Sequence, residues 1–154
     1  MSTIESRLKE KGIEIPTPPE PEGAYIPARQ SGNMVFCSGQ GPLKDGEFQY
    51  IGRVGDDLSV EEGYQAARIC AINCLAEIKY LIGSLEKIEK VIKVRGFVRS
   101  AEDFGNQPEV VNGASELLQE VFGERGRHAR AALGTSELPR NIPVEVEMVV
   151  SLKS

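Results

Sequence analysis

Val144-Glu-Val-Glu-Met-Val-Val-Ser-Leu152 alternates like a half-buried strand, and that alternation says where acids could act. Val144, Val146, Met148 and Val150 fall on one side, and Glu145, Glu147, Val149 and Ser151 on the other. The apolar set belongs under helices, so the glutamates belong on the opposite face. In the neighbouring run, His128, Arg130 and Ala132 share one face, while Ala129, Ala131 and Leu133 suit the core. The expectation is a cation and carboxylates together on the non-helical side of one sheet. Two readings fit. One is solvated surface with cross-strand ion pairs, worth a fraction of a kcal/mol each. The other is a ligand site in which the arginine fork grips a carboxylate. Alternation alone leaves both open.

Other candidates carry less. Cys70 and Cys74 lie one helical turn apart, a spacing open to two metal ligands, but no histidine or further cysteine completes a set. They read as buried thiols, and no metal site is expected. His128, the sole histidine, could titrate beside Arg130 or serve a structural role. Gly39-Gln-Gly41 is too short for a phosphate loop and lacks its Lys-Ser/Thr end. Lys87, Lys90, Lys93 and Arg95 read as a solvated edge.

The elements that must hold these residues follow from periodicity and punctuation. Ser2 to Lys11 reads as a short amphipathic helix stopped by Gly12, and the prolines from Ile15 to Gly23 favour an extended segment. These residues are expected to form an arm, 1–23, on a single domain of 154 residues. Strands are expected at Tyr25–Gln30 and Met34–Cys37 around a turn at Ser31–Asn33. Leu43 to Asp57 reads as a hairpin or long loop. Ser59 and Glu62 have capping-box spacing for a helix to about Ile82, with Ala67, Ala71, Cys74, Ile78 and Leu81 on its apolar side and Gly83 as its cap.

Val91 to Ser100 reads as a strand, with Ile92, Val94 and Val98 on one face and Lys93, Arg95 and Phe97 on the other. Pro108 suits the first turn of a second helix whose apolar side carries Val111, Ala114, Leu118 and Val121 or Phe122. Gly123 should end it. Strands His128–Gly134 and Pro143–Leu152 close the chain. The order predicts an α+β fold, one mixed sheet with two helices on one face.

Composition narrows the function classes. The chain has 154 residues with 40% hydrophobic and 27% charged, a globular balance with room for a substantial core. A net charge of −5 argues against a nucleic-acid surface. No apolar run approaches the ~20 residues that span a bilayer, and the polar start MSTIESRLKEKG lacks a signal-peptide core. With three cysteines that cannot all pair within one chain, a reducing cytoplasmic setting is the expectation.

Tyr25, Val35-Phe-Cys-Ser-Gly-Gln-Gly-Pro-Leu43, Val111-Asn112, Ala129-Arg130 and Leu138-Pro139 followed by Val144-Glu-Val-Glu147 together resemble the RidA/YjgF family. Its members are enamine/imine deaminases, also known as L-PSP endoribonucleases or translation inhibitors. The resemblance runs from about Tyr25 to Leu152, and the arm with Gly126–Gly134 looks like a branch related to the chorismate-mutase-like members. It implies a chorismate-mutase-like fold assembled as a homotrimer with clefts between subunits. Arg130 matches the family arginine that binds the substrate carboxylate, and Glu145 matches the acid beside the hydrolytic water. Tyr25, Ser38, Gly39 and Asn112 match positions lining the same cleft. Ala132 departs from the pattern, standing where the family carries a cysteine.

The implied reaction is hydrolysis of 2-imino or enamino acids to 2-oxo acids and ammonia, needing no cofactor. A non-catalytic trimer binding small carboxylates is the alternative, favoured by the missing thiol. An endoribonuclease is a weaker reading, given the acidic charge and the lack of a histidine pair.

Overall fold

Thr3 and Ser59 start helices with the same device. In the computed structural model, which describes residues 3–154, the Thr3 hydroxyl accepts the Ser6 N–H at 3.0 Å while Ser6 Oγ accepts the Thr3 N–H at 2.9 Å. Ser59 and Glu62 reciprocate in the same way, at 3.1 and 3.0 Å. Such caps satisfy N–H groups that the first helical turn leaves without partners, and each stabilises by roughly 1 kcal/mol.

The first box opens α1 (Ile4–Glu10), the second α2 (Val60–Ile82), which ends at Gly83 with φ 94°. The expected start of α1 at Ser2 lies outside the described residues. Along α2 the core is met by Ala67, Cys70, Ala71, Cys74, Leu75, Ile78 and Ile82. Leu81, expected in that stripe, is exposed, because a 3.6-residue repeat reaches Ile82 on the core side.

The main sheet has five strands in the order β1 (Ala28–Ser31), β2 (Met34–Gln40), β7 (Val144–Leu152), β5 (Ile88–Arg99) and β6 (Ala129–Thr135). All neighbours are antiparallel except β5 and β6, which run parallel. A small hairpin, β3 (Leu43–Lys44) and β4 (Glu47–Phe48), occupies the start of the stretch expected as a hairpin or long loop. The remaining helix, α3 (Gln107–Phe122), carries proline in its first turn and stops at Gly123 with φ 64°. It lies beside α2 on the same face of the sheet as Val94, Val98, Val144, Val146 and Met148, all buried. The helices approach closely at Gly113, where a β-carbon would run into the Tyr64 carbonyl.

Three irregularities interrupt the register, one of them between Ile88↔Leu152 and Lys90↔Ser151, and the other two bear on the site and the core. Between Cys37↔Met148 and Gln40↔Val146, β2 takes three steps where β7 takes two, so the chain kinks at Ser38–Gly39. Between Val91↔Val150 and Lys93↔Val149, β5 takes two steps against one. That second irregularity puts Val91 in the core, and Ile92, expected there, is left half-buried.

The expected faces of β6 are reversed. Arg130 is the register partner of Val94, and Ala132 that of Gly96, so both side chains stand on the helical face. Ala129 and Leu133, expected in the core, are exposed on the other side. The short, small alanine-rich run gives period-2 alternation but no hydrophobic contrast to fix its sign.

α1 buries Ile4 and Leu8, and Arg7 Nη1 donates to the Val121 carbonyl at 3.1 Å at the end of α3. The segment after it has no regular secondary structure, and Glu22 pairs with Arg140 at 3.4 Å. Among the described residues, no helix is long and apolar enough to cross a membrane.

Candidate functional site

Arg130 is half-buried, and its Nη1 donates to Asn112 Oδ1 at 2.7 Å and Ser115 Oγ at 3.2 Å. Both acceptors are uncharged, and both stand on α3 three residues apart, on one face of that helix. No carboxylate pairs with Arg130 among the described residues. Its Nε and Nη2 edge is left without a protein partner among those residues, which suits the two parallel bonds a carboxylate accepts.

Behind Arg130 lies a chain of hydrogen bonds with one consistent direction. His128 Nδ1 lies 2.6 Å from the Gly126 carbonyl, which can only accept, so Nδ1 carries a proton. In the neutral ring Nε2 then accepts, and Ser115 Oγ lies 2.9 Å from it. Ser115 thus donates to His128 and accepts from Arg130. Burial, and the nearby Arg130 charge, hold the His128 pKa below the usual 6.5, so the neutral ring is the form present at neutral pH. Of the two readings open to His128, these contacts give it a structural role. It braces the serine that braces the arginine.

Glu145 stands on the opposite face. It is the register partner of Phe97, itself the partner of Leu133. Arg130 and Glu145, expected on one face, are therefore on opposite sides of the same sheet. Burial, and then the negative charge of Glu147, raise the Glu145 carboxyl above its ordinary 4.5. Its neighbour at the β2 bulge is Gly39, where any β-carbon would collide with the Glu145 carboxylate. Glycine there lets the flexible end of Glu145 lie against β2, and no unusual turn is involved.

Ser38 sits at the same bulge, its N–H donating to Pro27 O at 2.8 Å. Tyr25, half exposed, lines a cavity of about 490 Å³ together with Gly39 and Glu145. The predicted residues thus separate into two groups. Arg130, Asn112 and Ala132 form one on the helical side of the β6 edge, and Tyr25, Ser38, Gly39 and Glu145 form the other near the β2 edge.

Sequence reasoning missed Ser115. The signal was available, since Asn112 and Ser115 are spaced to share a helix face. Asn73 was missed too: its Nδ2 donates to the carbonyls of Gly41 and Leu43, at 2.8 and 2.9 Å, and ties the loop after β2 to α2. The thiols behave as expected of buried groups. Cys70 and Cys74 donate to the Val144 and Val146 carbonyls at 3.4 and 3.2 Å, and burial pushes both pKa values well up. No cluster of three or more metal-ligating side chains occurs among the described residues. In the basic cluster, Lys87 Nζ donates to the Ile82 carbonyl at the end of α2 and Arg95 pairs with Glu147, both structural contacts.

Comparison with known proteins places the chain in a family. The family model described as "YjgF/chorismate mutase-like, putative endoribonuclease" matches residues 5–152. The chain belongs to the YjgF/RidA family. Protein TCP17 of Trypanosoma cruzi is 38% identical over 152 residues, covering 98% of this chain and 95% of that protein. The 2-iminobutanoate/2-iminopropanoate deaminase of Dermatophagoides farinae is 30% identical over 143 residues, covering 92% and 95%. The crystal structure of protein Atu1372, of unknown function, from Agrobacterium tumefaciens is 45% identical with a TM-score of 0.91, covering 97% of this chain and 92% of that one. The fold, α+β with a mixed sheet and helices, matches solved YjgF structures.

Proposed function

We propose that this YjgF/RidA protein hydrolyses reactive 2-imino and enamino acids to 2-oxo acids and ammonia, at sites completed between subunits of a homotrimer. The observation that carries the reading is Arg130, a half-buried cation oriented by two neutral side chains and lacking a carboxylate partner among the described residues. Such a group is prepared for an anionic ligand. A relative named as a 2-iminobutanoate/2-iminopropanoate deaminase supports the substrate class.

The opposed placement of Arg130 and Glu145 supports a site shared between copies, since one chain does not bring them together. Arg130 of one subunit would hold the substrate carboxylate. Glu145 of another would take a proton from water as it adds to the imine carbon, help typically worth ~10²–10⁴-fold. Burial and the Glu147 charge raise its pKa, which makes its ionised form a better base than an ordinary glutamate. Protonation of the nitrogen follows, and the tetrahedral adduct collapses to the ketone and ammonia. Water is consumed, and no electrons change hands. Tyr25, Ser38 and Gly39 would wall the Glu145 side, and Asn112 with Ala132 the Arg130 side.

Ala132 favours a second reading, a trimer that binds small carboxylates without catalysis. It shares the Arg130 face, two residues on, where the resemblance leads one to expect a thiol. The test is to generate 2-iminobutanoate in place with a threonine dehydratase and follow 2-oxobutanoate release against semicarbazide trapping. Acceleration over buffer supports the deaminase. Binding of 2-oxobutanoate without acceleration supports the binder.

A further inference from the structure

Glu77 has no role in the chemistry above. It sits on α2 with 8% of its surface exposed, and it lines the same cavity as Glu145. Among the described residues no hydrogen bond or ion pair engages its carboxylate, and burial alone raises its pKa. Its oxygens are not sealed from solvent and face the cavity, where a charge among largely apolar walls favours a counter-ion.

The cavity has the shape of an answer. β1 covers β2 as far as Cys37, and beyond that point the free edge of β2 opens onto the space. The arm at Pro18–Glu22 lines it, held by the pair between Glu22 and Arg140. Its walls are largely apolar, with Pro19, Tyr25, Leu43, Phe48 and Ile142 among them. Its charged groups are Glu20, Glu22, Glu77 and Glu145 against Arg140, which Glu22 already occupies. The volume of about 490 Å³ is that of a small-molecule pocket.

We propose that this cavity is a binding site for an organic cation, a protonated amine or guanidinium on a short hydrocarbon chain, with Glu77 as its counter-ion. The apolar walls take the chain and the carboxylate takes the head. Because Glu145 opens on the same space, the cation would be the far end of the substrate itself. The preferred substrates are then imines of basic amino acids. This last step rests on the deaminase reading, whereas the cation site does not.

The test has a binding arm and a rate arm. Calorimetry at pH 7.5 with n-butylammonium should show saturable binding to the wild type, at least tenfold weaker to Glu77→Gln, with n-butanol unable to tell the two proteins apart. Equal binding of n-butylammonium to both proteins, or none to the wild type, overturns the site. Should Glu77→Gln fail to fold, the wild type decides alone: n-butylammonium must raise its melting temperature more than sodium chloride at matched ionic strength, and equal shifts refute the proposal.

For the rate arm, an L-amino-acid oxidase generates imines from arginine and from citrulline, its uncharged analogue. The wild type should favour the arginine imine in kcat/KM by tenfold or more, and Glu77→Gln should bring the ratio near one. If 2-iminobutanoate is hydrolysed while the two imines are treated alike and n-butylammonium does not bind, the cation site is wrong and the deaminase stands. If n-butylammonium binds through Glu77 and no imine is hydrolysed, the deaminase is wrong and the cation site stands.

Discussion

Arg130 and Glu145 stand on opposite faces of one sheet, with β5 between their strands. Neither has an oppositely charged partner among the described residues. Arg130 is oriented by the uncharged Asn112 and Ser115, and Glu145 is half-buried beside a glycine that leaves room for it. If the two act on one ligand, a second copy must bring them together, and assembly becomes part of the chemistry.

The surface that would pair is the sheet face without helices, which carries Phe36, 49% exposed, and Leu133, 46% exposed. Apolar side chains grouped on an open sheet point to a covered interface. Light scattering should give about three times 16.8 kDa. Leu133→Glu should shift the protein toward monomer and remove activity while Arg130 and Glu145 remain intact. A wild type that scatters as a monomer at micromolar concentration removes the shared site.

Ligand affinity should depend on the geometry of Arg130 and not on its charge alone. A hydrogen bond to a charged group is worth roughly 1.5–3 kcal/mol, so both Arg130→Lys and Arg130→Ala should weaken 2-oxobutanoate binding about tenfold or more. Calorimetry measures it. Unchanged affinity in both variants would put the anchor elsewhere.

His128 should make stability pH-dependent. Its folded pKa lies below the unfolded 6.5, so the unfolded chain binds the extra proton first as pH falls. The contribution is present above pH 6.5 and is lost as pH drops from there through the folded value. Denaturant unfolding of the wild type across that window should show the loss, and His128→Gln should not. Ser115→Ala, which breaks the bridge to Arg130, should raise KM several-fold with a smaller change in kcat, as expected of a positioning residue. If KM is unmoved, the bridge does not steer the arginine.

Much of the fold was legible because its signals are local. Ser59 with Glu62, Gly83, Pro108 and Gly123 each act within one helical turn, and the bounds they mark agree with the helices. β7 was legible because valine and methionine alternate against glutamate. β6 was not, since Ala129, Ala131 and Ala132 give no contrast between faces, and the sign of the alternation came from contacts with α3. The bulges at Ser38–Gly39 and Ile92 depend on pairing with β7, distant in sequence, so no local pattern announced them. Of the candidate site, the residue types were readable and their division between two faces was not.

Glu145 separates enzyme from binder. Glu145→Gln keeps the shape beside Gly39 but cannot accept the proton of water, so it should remove most of the acceleration of 2-oxobutanoate release, roughly 10²-fold or more, and leave 2-oxobutanoate binding near wild type. Arg130→Ala should fail differently, recovering part of its rate at higher substrate, because it loses positioning and not the base. A stability measurement guards the comparison. With its folded pKa raised above 4.5, Glu145 is disfavoured as an anion in the folded chain, so its stabilising share is present below pH 4.5 and is lost as pH rises through the folded value. Glu145→Gln should therefore be at least as stable as the wild type at pH 7, the two converging in acid, and lost activity cannot then be blamed on unfolding. Ala132→Cys completes the set. A faster rate would mean that a thiol on the Arg130 face helps the reaction, and a wild type that binds 2-oxobutanoate at Arg130 without accelerating hydrolysis would make this a binding protein.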